Sequence, residues 1–481
     1  MLLTRRNFLE RTLKISAGFP LASATRGFAG TAPLLTLRQG KGAPVRMPAN
    51  FTGLGYEMSS VARLGLLSAG NDRYVRLVKG MGTDGVLRVG GIVSDYTRYE
   101  PDGKIVAQPL DTVITSASLR QFGDFLSTIG WSAIWTLNFA QGSIEDAVKE
   151  ARAVAEVLGP HLLAFEIGNE VENFARGHKP FKPFRKAPYT YETYRTEYHQ
   201  WHAAIVNAVP QARFAAPDTA ASVAWVERMA KDAKGDVQLL TTHYYRNGQA
   251  RGTMDQLLYP DPRLKDILIR LRAASEQSGI PWRMCETNSF SGGGHPGISD
   301  TFAGALWTLD FMLLLAAYGC SGVNIETGVN QLGFVSSYSP IQDNGKGINS
   351  AGAPYYGMLA FAQARTGSPE ILPLDFDAQG VNLTAYLLGA SGKPRTLVIV
   401  NKDPALDARI SIRKLALGNL AGLRLIAPAS DSKTGITFGG ASVSPEGQWR
   451  PAKEERIRNA MLDVPRMSAV VLRPASGSTR A

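Results

Sequence analysis

Short apolar stretches alternate with longer amphipathic segments between residues 51 and 325 of this 481-residue chain. The apolar stretches have the length of buried strands, and the amphipathic segments have the length and periodicity of helices. We predict eight strands, at residues 51–56, 86–89, 133–137, 163–167, 213–216, 237–242, 282–285 and 322–325. Eight strands that alternate with helices predict an α/β fold, the (β/α)8 TIM barrel.

Six of the amphipathic segments are predicted helices, at residues 119–129, 144–158, 191–209, 222–233, 262–277 and 302–317. The second of these has a clear start, because Ser143 is a good N-cap and Asp146 follows three positions later. A doubly wound open sheet is disfavoured. The turn after the first strand, Gly53-Leu54-Gly55-Tyr56-Glu57, lacks the third glycine of a dinucleotide-binding turn.

Alternation with a period of two replaces the helical pattern after residue 372. We predict strands at 383–388, 396–401, 408–412, 422–427 and 468–472, with a hairpin turn at 389–394. This pattern indicates a C-terminal antiparallel β-sandwich domain at residues 369–475, following a catalytic barrel at 49–368. Residues 31–48 contain a further apolar segment, which we expect to join the sandwich.

Two predicted barrel strands end in polar groups that a core does not need. Asn169 and Glu170 follow the fourth strand, and Glu286 follows the seventh. Because barrel enzymes carry their chemistry at the carboxyl ends of the strands, we expect these side chains to face one site. Helix caps or ion-pair partners are the alternative, but the Asn-Glu doublet and the glycine-rich stretch after Glu286 favour a catalytic pair. Two such carboxylates suit glycoside hydrolysis, and their separation decides between retention and inversion.

Four stretches resemble segments of heparanases and bacterial β-glucuronidases, which belong to glycoside hydrolase family 79. They are LRVGG at 87–91, FEIGNE at 165–170, THYYRNG at 242–248 and CETNSFSGGG at 285–294. The resemblance extends roughly from Phe51 to Asn401. It implies a retaining mechanism without metal or cofactor, in which Glu170 is the general acid/base and Glu286 is the nucleophile.

The resemblance also implies roles for residues around the two glutamates. Asn169 would bind the 2-hydroxyl of the sugar, and Glu57 would hold other hydroxyls unless it forms a surface ion pair. Tyr244 would donate a hydrogen bond to Glu286. A core tyrosine is the alternative reading of Tyr244, and a shift of one residue in register would give the role to Tyr245 or His243.

The family binds the carboxylate of a uronic acid with tyrosines and backbone N–H groups. Here Ser291 stands where relatives have a tyrosine, whereas Gly293 can still offer its N–H, and Tyr338 is the candidate for the second tyrosine. Either the serine hydroxyl replaces the phenol or glucuronate is not the sugar, and we favour the first reading.

These observations favour an enzyme that removes terminal β-glucuronic acid from glycans or glycosides. The alternatives are an endo-acting, heparanase-like β-glucuronidase that cleaves acidic polysaccharides and an inactive polysaccharide-binding protein. An esterase is disfavoured because the chain has no Gly-x-Ser-x-Gly motif. The net charge of +11 is dispersed without a nucleic-acid-binding motif, so we expect a uronic-acid-containing carbohydrate as the partner. Cys285 and Cys320 are expected to be buried thiols, with Cys285 turned away from the site.

The first residues match a twin-arginine export signal. Thr4-Arg5-Arg6-Asn7-Phe8-Leu9 is followed by an apolar segment at 13–24 that ends in small residues. We therefore expect residues 1–30 to be a signal peptide that directs the protein to the periplasm or the medium. No other window offers the ~20 apolar residues of a membrane span.

Overall fold

The computed structural model of the protein describes residues 32–108, 110–177, 182–232, 235–328, 336–343, 349–457 and 459–475. The predicted export signal lies outside these residues and stays a prediction. In the described part of the chain, no helix combines the length and the apolar character that crossing a bilayer would need.

Eight parallel strands close into a barrel and follow one another around it in chain order. We number these barrel strands β1 to β8: Thr52–Glu57, Val86–Gly90, Ser132–Leu137, Leu162–Ile167, Phe214–Thr219, Leu239–Gly248, Trp282–Ser291 and Val323–Glu326. The prediction of a (β/α)8 barrel is therefore confirmed. Strands β6 and β7 are longer than predicted because their parallel pairing continues past the barrel, as far as Gly248 opposite Ser291.

Helices cover the outside of the barrel and connect its strands. The longer ones are Asp72–Gly80, Ser116–Ile129, Ile144–Leu158, Tyr191–Ala208, Val223–Asp232, Pro262–Ser278, Phe302–Ala317 and Ala353–Arg365, and the shorter ones are Ser59–Ala62, Gly91–Ser94 and Met254–Leu258. The predicted cap at Ser143 is confirmed as a capping box, in which Ser143 and Asp146 each accept the other's backbone N–H. Helix Phe302–Ala317 has apolar residues on all sides because it lies between the barrel and other helices and strands.

Two sheets form the β-sandwich, and the beginning of the described chain contributes a strand to each. The smaller sheet has the order Leu374–Asp375, Leu34–Gln39, Ala408–Lys414 and Met461–Val464. The larger has the order Val45–Arg46, Glu370–Leu372, Leu383–Ala390, Lys393–Asn401, Ser468–Pro474, Leu420–Ile426 and Thr437–Phe438, with Glu455–Arg456 beside Leu420–Ile426. One pair departs from the antiparallel prediction, because Leu34–Gln39 runs parallel to Ala408–Lys414. A hairpin would force two strands to be antiparallel, but strands from opposite ends of the chain are free to pair in either direction.

Small sheets complete the loops at the carboxyl end of the barrel. Strands Thr97–Tyr99, Val106–Gln108 and Asp111–Ile114 form one of them in the connection after β2. Strands Ile341–Asp343 and Asn349–Ala351 form another after β8. These insertions lie on the side of the barrel where the polar strand ends converge, so they build the walls of the site.

Candidate active site

Arg88 on β2 lies at the centre of a buried network at the carboxyl end of the barrel. Its side chain has no solvent exposure. The guanidinium donates to Glu166 Oε2 at 2.9 Å, Glu286 Oε2 at 2.8 Å and Asn169 Oδ1 at 2.7 Å, and it also donates to Asp218. A buried cation of this kind holds several carboxylates in fixed positions, because the planar guanidinium directs its N–H groups along set lines. Arg88 thus links three barrel strands and the loop that carries Asn169.

His243 on β6 joins this network to both predicted catalytic glutamates. Its Nε2 lies 2.9 Å from Asp218 Oδ1, and its Nδ1 lies 3.4 Å from Glu170 Oε1 and 3.9 Å from Glu286 Oε2. Burial favours the neutral ring, but the carboxylates of Asp218 and Glu286 outweigh it and raise the pKa of His243 well above its usual 6.5. His243 is therefore an imidazolium at neutral pH and adds a second positive charge.

The carboxyls of Glu166 and Asp218 lie next to each other and have opposite pKa shifts. Burial, followed by repulsion from Asp218, raises the pKa of Glu166 to about 7. Burial also acts to raise the pKa of Asp218, but Arg88 and His243 prevail and lower it to about 2. The two carboxyls compete for one guanidinium, and Asp218, which also contacts His243, keeps its charge.

Glu286 reaches the site through an irregularity in β7. The register of β7 shifts relative to both neighbouring strands. Against β8 the shift falls between Met284 and Thr287, and against β6 it falls opposite Thr242 and His243. An extra residue in a strand re-aims the side chains that follow it. As a result Cys285 also faces inward, where its sulfur lies within 4.8 Å of Glu166 and Asp218 carboxylate oxygens.

The prediction that strand alternation turns Cys285 away from the site is therefore wrong. Cys285 and Cys320 are both buried, as predicted. Burial raises the pKa of the Cys285 thiol well above its usual 9. The thiol contributes to the apolar layer below the carboxylates, and it stays protonated at neutral pH.

Glu170 lies at the turn that follows β4. Its φ of 48° is in the left-handed region, which is unusual for a side chain with a Cβ, and its backbone N–H donates to the carbonyl of Asp218 at 2.8 Å. This turn directs the carboxylate toward Glu286. One carboxylate oxygen of Glu170 and one of Glu286 lie within 4.8 Å of each other and of a nitrogen of His243. Both carboxylates remain partly accessible, with 25% and 13% of their side chains exposed.

Asn169, next to Glu170, is buried and has a fixed amide orientation. Since Arg88 can only donate hydrogen bonds, the atom that faces it must be the amide oxygen, at 2.7 Å. The amide nitrogen is then the atom that can donate to a ligand. This placement is what the predicted contact with a sugar 2-hydroxyl requires.

Glu57, at the end of β1, lies inside the site and not in a surface ion pair. Its Oε2 accepts the backbone N–H of Val93 at 2.8 Å. Burial, then the charges of Glu326 and Glu286, raise the pKa of Glu57 well above 4.5. Gly91 is needed beside it, because a Cβ there would lie 2.2 Å from the Glu57 carboxylate and its φ is +64°.

Tyr338 lies on the same side of the site as Glu57. It is 3% exposed, and its ring stacks on Tyr245 with centroids 6.3 Å apart. Burial, then the charges of Glu326 and Glu286, raise the pKa of its phenol. The structure therefore brings Tyr338, which follows β8 in the chain, close to the predicted nucleophile.

Tyr245, and not Tyr244, donates to Glu286. The Tyr245 hydroxyl lies 2.9 Å from Glu286 Oε1. The Tyr244 hydroxyl instead donates to Asp261 at 2.9 Å, and its ring stacks on Phe311 outside the barrel. The predicted role of Tyr244 is corrected by one residue, because His243 and Tyr245 share the inward face of β6 and Tyr244 lies on the other.

Ser291 and Gly293 lie farther along the extension of β7. Ser291 is half-buried and pairs with Gly248. The carbonyl of Gly293 accepts the backbone N–H of Ser337 at 2.7 Å and of Tyr338 at 3.4 Å. Gly293 therefore positions the segment that carries Tyr338, and its own N–H stays a predicted ligand contact.

The prediction of site residues did not include Arg88, Glu166, Asp218 and Glu326, and it named His243 only as an alternative to Tyr244. Each is a charged or ionisable residue inside or at the end of an apolar strand, which is a signal visible in the sequence. Glu166, Asp218 and Cys285 form one group of potential metal ligands, and Glu170, His243 and Glu286 form another. Arg88 already supplies a positive charge to the first group, and His243 supplies one to the second.

Comparisons with known proteins agree with this arrangement. No family model matches the chain. The chain is 26% identical over 429 residues to a β-glucuronidase of Aspergillus niger, which covers 77% of this chain and 78% of that protein. A solved 4-O-α-L-rhamnosyl-β-D-glucuronidase from Fusarium oxysporum has the same fold, with a TM-score of 0.75 at 18% identity over 92% of this chain and 100% of that one.

A second solved structure extends the likeness of the fold. The family 51 arabinofuranosidase of Xanthomonas axonopodis pv. citri has a TM-score of 0.60 at 15% identity, over 91% of this chain and 99% of that one. The barrel with its additional sheets, the facing carboxylates and the β-glucuronidase relative together define the class of this protein. It is a glycoside hydrolase.

Proposed function

We propose that this glycoside hydrolase removes terminal β-glucuronic acid with retention of configuration, as a member of glycoside hydrolase family 79. The observation that carries the retaining mechanism is the approach of Glu170 and Glu286, whose nearest ligand oxygens lie within 4.8 Å. Retaining enzymes hold the two carboxyl groups ≈ 5–5.5 Å apart, whereas inverting enzymes need ≈ 6.5–9.5 Å for a water molecule. The short separation supports direct attack by one carboxylate.

Glu286 is the nucleophile in this proposal. Its carboxylate attacks the anomeric carbon and forms a glycosyl ester while the bond to the leaving oxygen breaks. Arg88 and Tyr245 each donate a hydrogen bond to Glu286, at 2.8 and 2.9 Å, which favours the ionised form and orients the attacking oxygen.

Glu170 is the general acid and then the general base. Its proton passes to the leaving oxygen in the first step, and the same carboxylate removes a proton from water in the second, when the glycosyl ester is hydrolysed. His243, positively charged and 3.4 Å from Glu170 Oε1, stabilises the carboxylate that forms after the first transfer. The proton balance closes because Glu170 regains its proton from the water that attacks.

The β-glucuronide specificity is supported by the Aspergillus niger relative and by the donors around the site. Tyr338 is buried close to Glu286 and Glu326, and the glycine-rich turn after β7 can direct N–H groups toward an anion. Hydrogen bonds to a charged acceptor contribute about 1.5 to 3 kcal/mol each. Neutral donors can therefore select a uronate without adding a further cation to the site.

A comparison of p-nitrophenyl glycosides tests this proposal. We expect kcat/KM for the β-glucuronide to exceed that for the β-glucoside and β-galactoside by about 10²-fold or more, because the neutral sugars leave the carboxylate donors unmatched. Tyr338→Phe should narrow that ratio. Equal cleavage of a neutral glycoside would overturn the uronate assignment, and Ser291 would then mark a different specificity.

A further inference from the structure

A cavity separate from the candidate active site lies on the rim of the barrel, at the carboxyl ends of β2 and β3, and is called the rim cavity below. Its volume is about 320 Å³, within the usual range for ligand sites. The residues that matter for its chemistry are Tyr96, Tyr99, Gln141, Asp146 and Glu150. Two aromatic rings, an amide and two carboxylates provide apolar faces for the C–H groups of a sugar and acceptors for its hydroxyls.

Glu150 is the strongest sign that this cavity is built for a ligand. It is only 4% exposed, and its Oε1 accepts the indole N–H of Trp135 at 2.8 Å. Among the described residues, Trp135 is the hydrogen-bond partner of this carboxyl group, which leaves Oε2 toward the cavity that the side chain lines. A carboxyl group with so little access to water is stabilised when a donor reaches its remaining oxygen. Ligand hydroxyls would supply that donor.

The charge of the cavity favours a neutral sugar over a uronic acid. Arg98 also lines it, but its guanidinium already pairs with Glu100 at 2.6 Å and Asp111 at 2.5 Å. The carboxyl groups of Asp146 and Glu150 therefore line the cavity without a cation directed into it, and burial raises the pKa of Glu150 to about 7, so that group is partly protonated at neutral pH. A second anion would be repelled there, whereas the hydroxyls of a neutral sugar find acceptors.

The cavity adjoins the side of the active site where the leaving group departs. Glu170, which protonates the leaving oxygen in the proposed mechanism, lines a small hollow together with Asp95 and Phe184. The ring of Tyr96 contacts Phe184 with centroids 5.6 Å apart, so Tyr96 and Phe184 separate that hollow from the rim cavity. Gln141 of the rim cavity donates to the carbonyl of Asp95 at 2.6 Å. A glycan that leaves past Glu170 reaches the rim cavity by passing Tyr96 and Phe184.

We propose that the rim cavity is a distal leaving-group subsite that binds a neutral sugar unit of the glycan from which glucuronic acid is removed. This proposal rests on the proposed function, because it assigns the cavity to the substrate of that reaction. It predicts a preference for oligosaccharide leaving groups over small aryl ones. The cavity then acts on substrate binding and not on the chemical step.

The test compares a small and a long substrate in matched variants. The substrates are p-nitrophenyl β-glucuronide and a β-glucuronosyl tetrasaccharide of neutral hexoses. Glu150→Gln and Tyr99→Ala alter the cavity from two different elements, and Glu156→Gln, on the exposed side of the same helix as Glu150, is the control. We expect kcat/KM for the tetrasaccharide to fall about tenfold in both cavity variants, mainly through KM, with less than a twofold change for the aryl substrate.

A direct measurement of sugar binding tests the subsite independently of the proposed β-glucuronidase activity. Calorimetric titration of the wild-type protein with unmodified galacto-, gluco- and xylotetraose should detect binding of at least one, and Glu150→Gln should weaken it about tenfold. If the enzyme cleaves no glucuronide but this binding holds, only the proposed function fails. No binding of any tetraose, or an equal loss on both glucuronides in the cavity variants, would overturn the subsite.

Discussion

Two buried clusters of charged residues, in different parts of the molecule, use their charges differently. The first joins the barrel to the sandwich: Asp310, on helix Phe302–Ala317, contacts Lys402, Thr384 and Tyr386 of the larger sandwich sheet and the loop that follows it. One ammonium neutralises one carboxylate, and two hydroxyls complete its hydrogen bonds. Lys402 outweighs the effect of burial and lowers the pKa of Asp310.

The second cluster is the candidate active site, where the charges do not balance. Glu57, Glu166, Glu170, Asp218, Glu286 and Glu326 converge there on the two cations Arg88 and His243. Burial, reinforced by the neighbouring carboxyls, raises the pKa of Glu57 and, to about 7, that of Glu166. A balanced pair stabilises a junction, whereas a surplus of carboxylates can stabilise the positive charge that a sugar ring develops in the transition state.

The largest effect should come from removing Glu286, the proposed nucleophile. We expect Glu286→Ala to lower kcat by at least about 10⁴-fold, because the covalent step loses its attacking group. The melting temperature should fall little, since the change removes one carboxylate from a cluster that has too many. Steady-state kinetics and calorimetry on the same preparation measure kcat and the melting temperature. A variant that is strongly destabilised but still active would contradict the contrast drawn between the two charged clusters.

At the Asp310–Lys402 cluster, the junction between the barrel and the sandwich, we expect a loss of stability without a loss of activity. Lys402→Met should reduce the free energy of unfolding by about 3 to 5 kcal/mol at neutral pH, because it leaves the Asp310 carboxylate buried without its cation. Activity of the folded fraction should be unchanged. Lys402→Met combined with Asp310→Asn should recover part of the loss in chemical denaturation, and a loss of kcat in the single variant would show that the junction acts on the site.

The pH dependence of the junction has a definite sign. The pKa of Asp310 is lowered on folding, so its contribution to stability is present above its unfolded pKa of about 3.9 and is lost as the pH falls through the folded value. In Lys402→Met this acid-side loss should disappear, because the buried carboxyl is then easier to protonate. Unfolding curves between pH 2 and 6 measure the difference.

Adjacent tyrosines on β6 give the smallest and sharpest test. Tyr245→Phe removes the donor to Glu286 and should lower kcat about 10- to 100-fold. Tyr244→Phe removes only a bond to Asp261, which keeps Arg246 and Arg263 as partners, and should leave kcat within twofold. Equal kinetic effects of the two changes would show that the register of β6 differs from the one described.

The fold and the proximity of Glu170 and Glu286 could be predicted from sequence because both depend on local pattern, whereas the catalytic roles of the two glutamates stay a proposal. Strand and helix periods indicated the barrel, and polar residues at strand ends indicated Glu170 and Glu286. The errors concern Cys285, where a strand departs from simple alternation, and Tyr244, where the inward face of β6 lies one residue away from the predicted position. The irregularity in β7 turns both Cys285 and Glu286 inward, and the extension of β6 places His243 and Tyr245 within a strand.

The network around Arg88 shows a second limit of sequence reasoning. Arg88 stands 78 residues from Glu166, 130 from Asp218 and 198 from Glu286, and only closure of the barrel brings them together. Each is recognisable as a charged residue in or beside an apolar strand. Their pairing depends on the stagger of the strands, which a local pattern does not contain.

The pairing of Glu170 as acid/base with Glu286 as nucleophile is tested most directly by azide rescue. Glu170→Ala should still form the glycosyl ester from an aryl β-glucuronide with a good leaving group, and the ester should accumulate because no base activates water. Azide needs no base and should restore turnover. Proton NMR of the product should show the β-glucuronosyl azide, whereas the α-glucuronosyl azide would contradict both the retaining mechanism and the assigned roles.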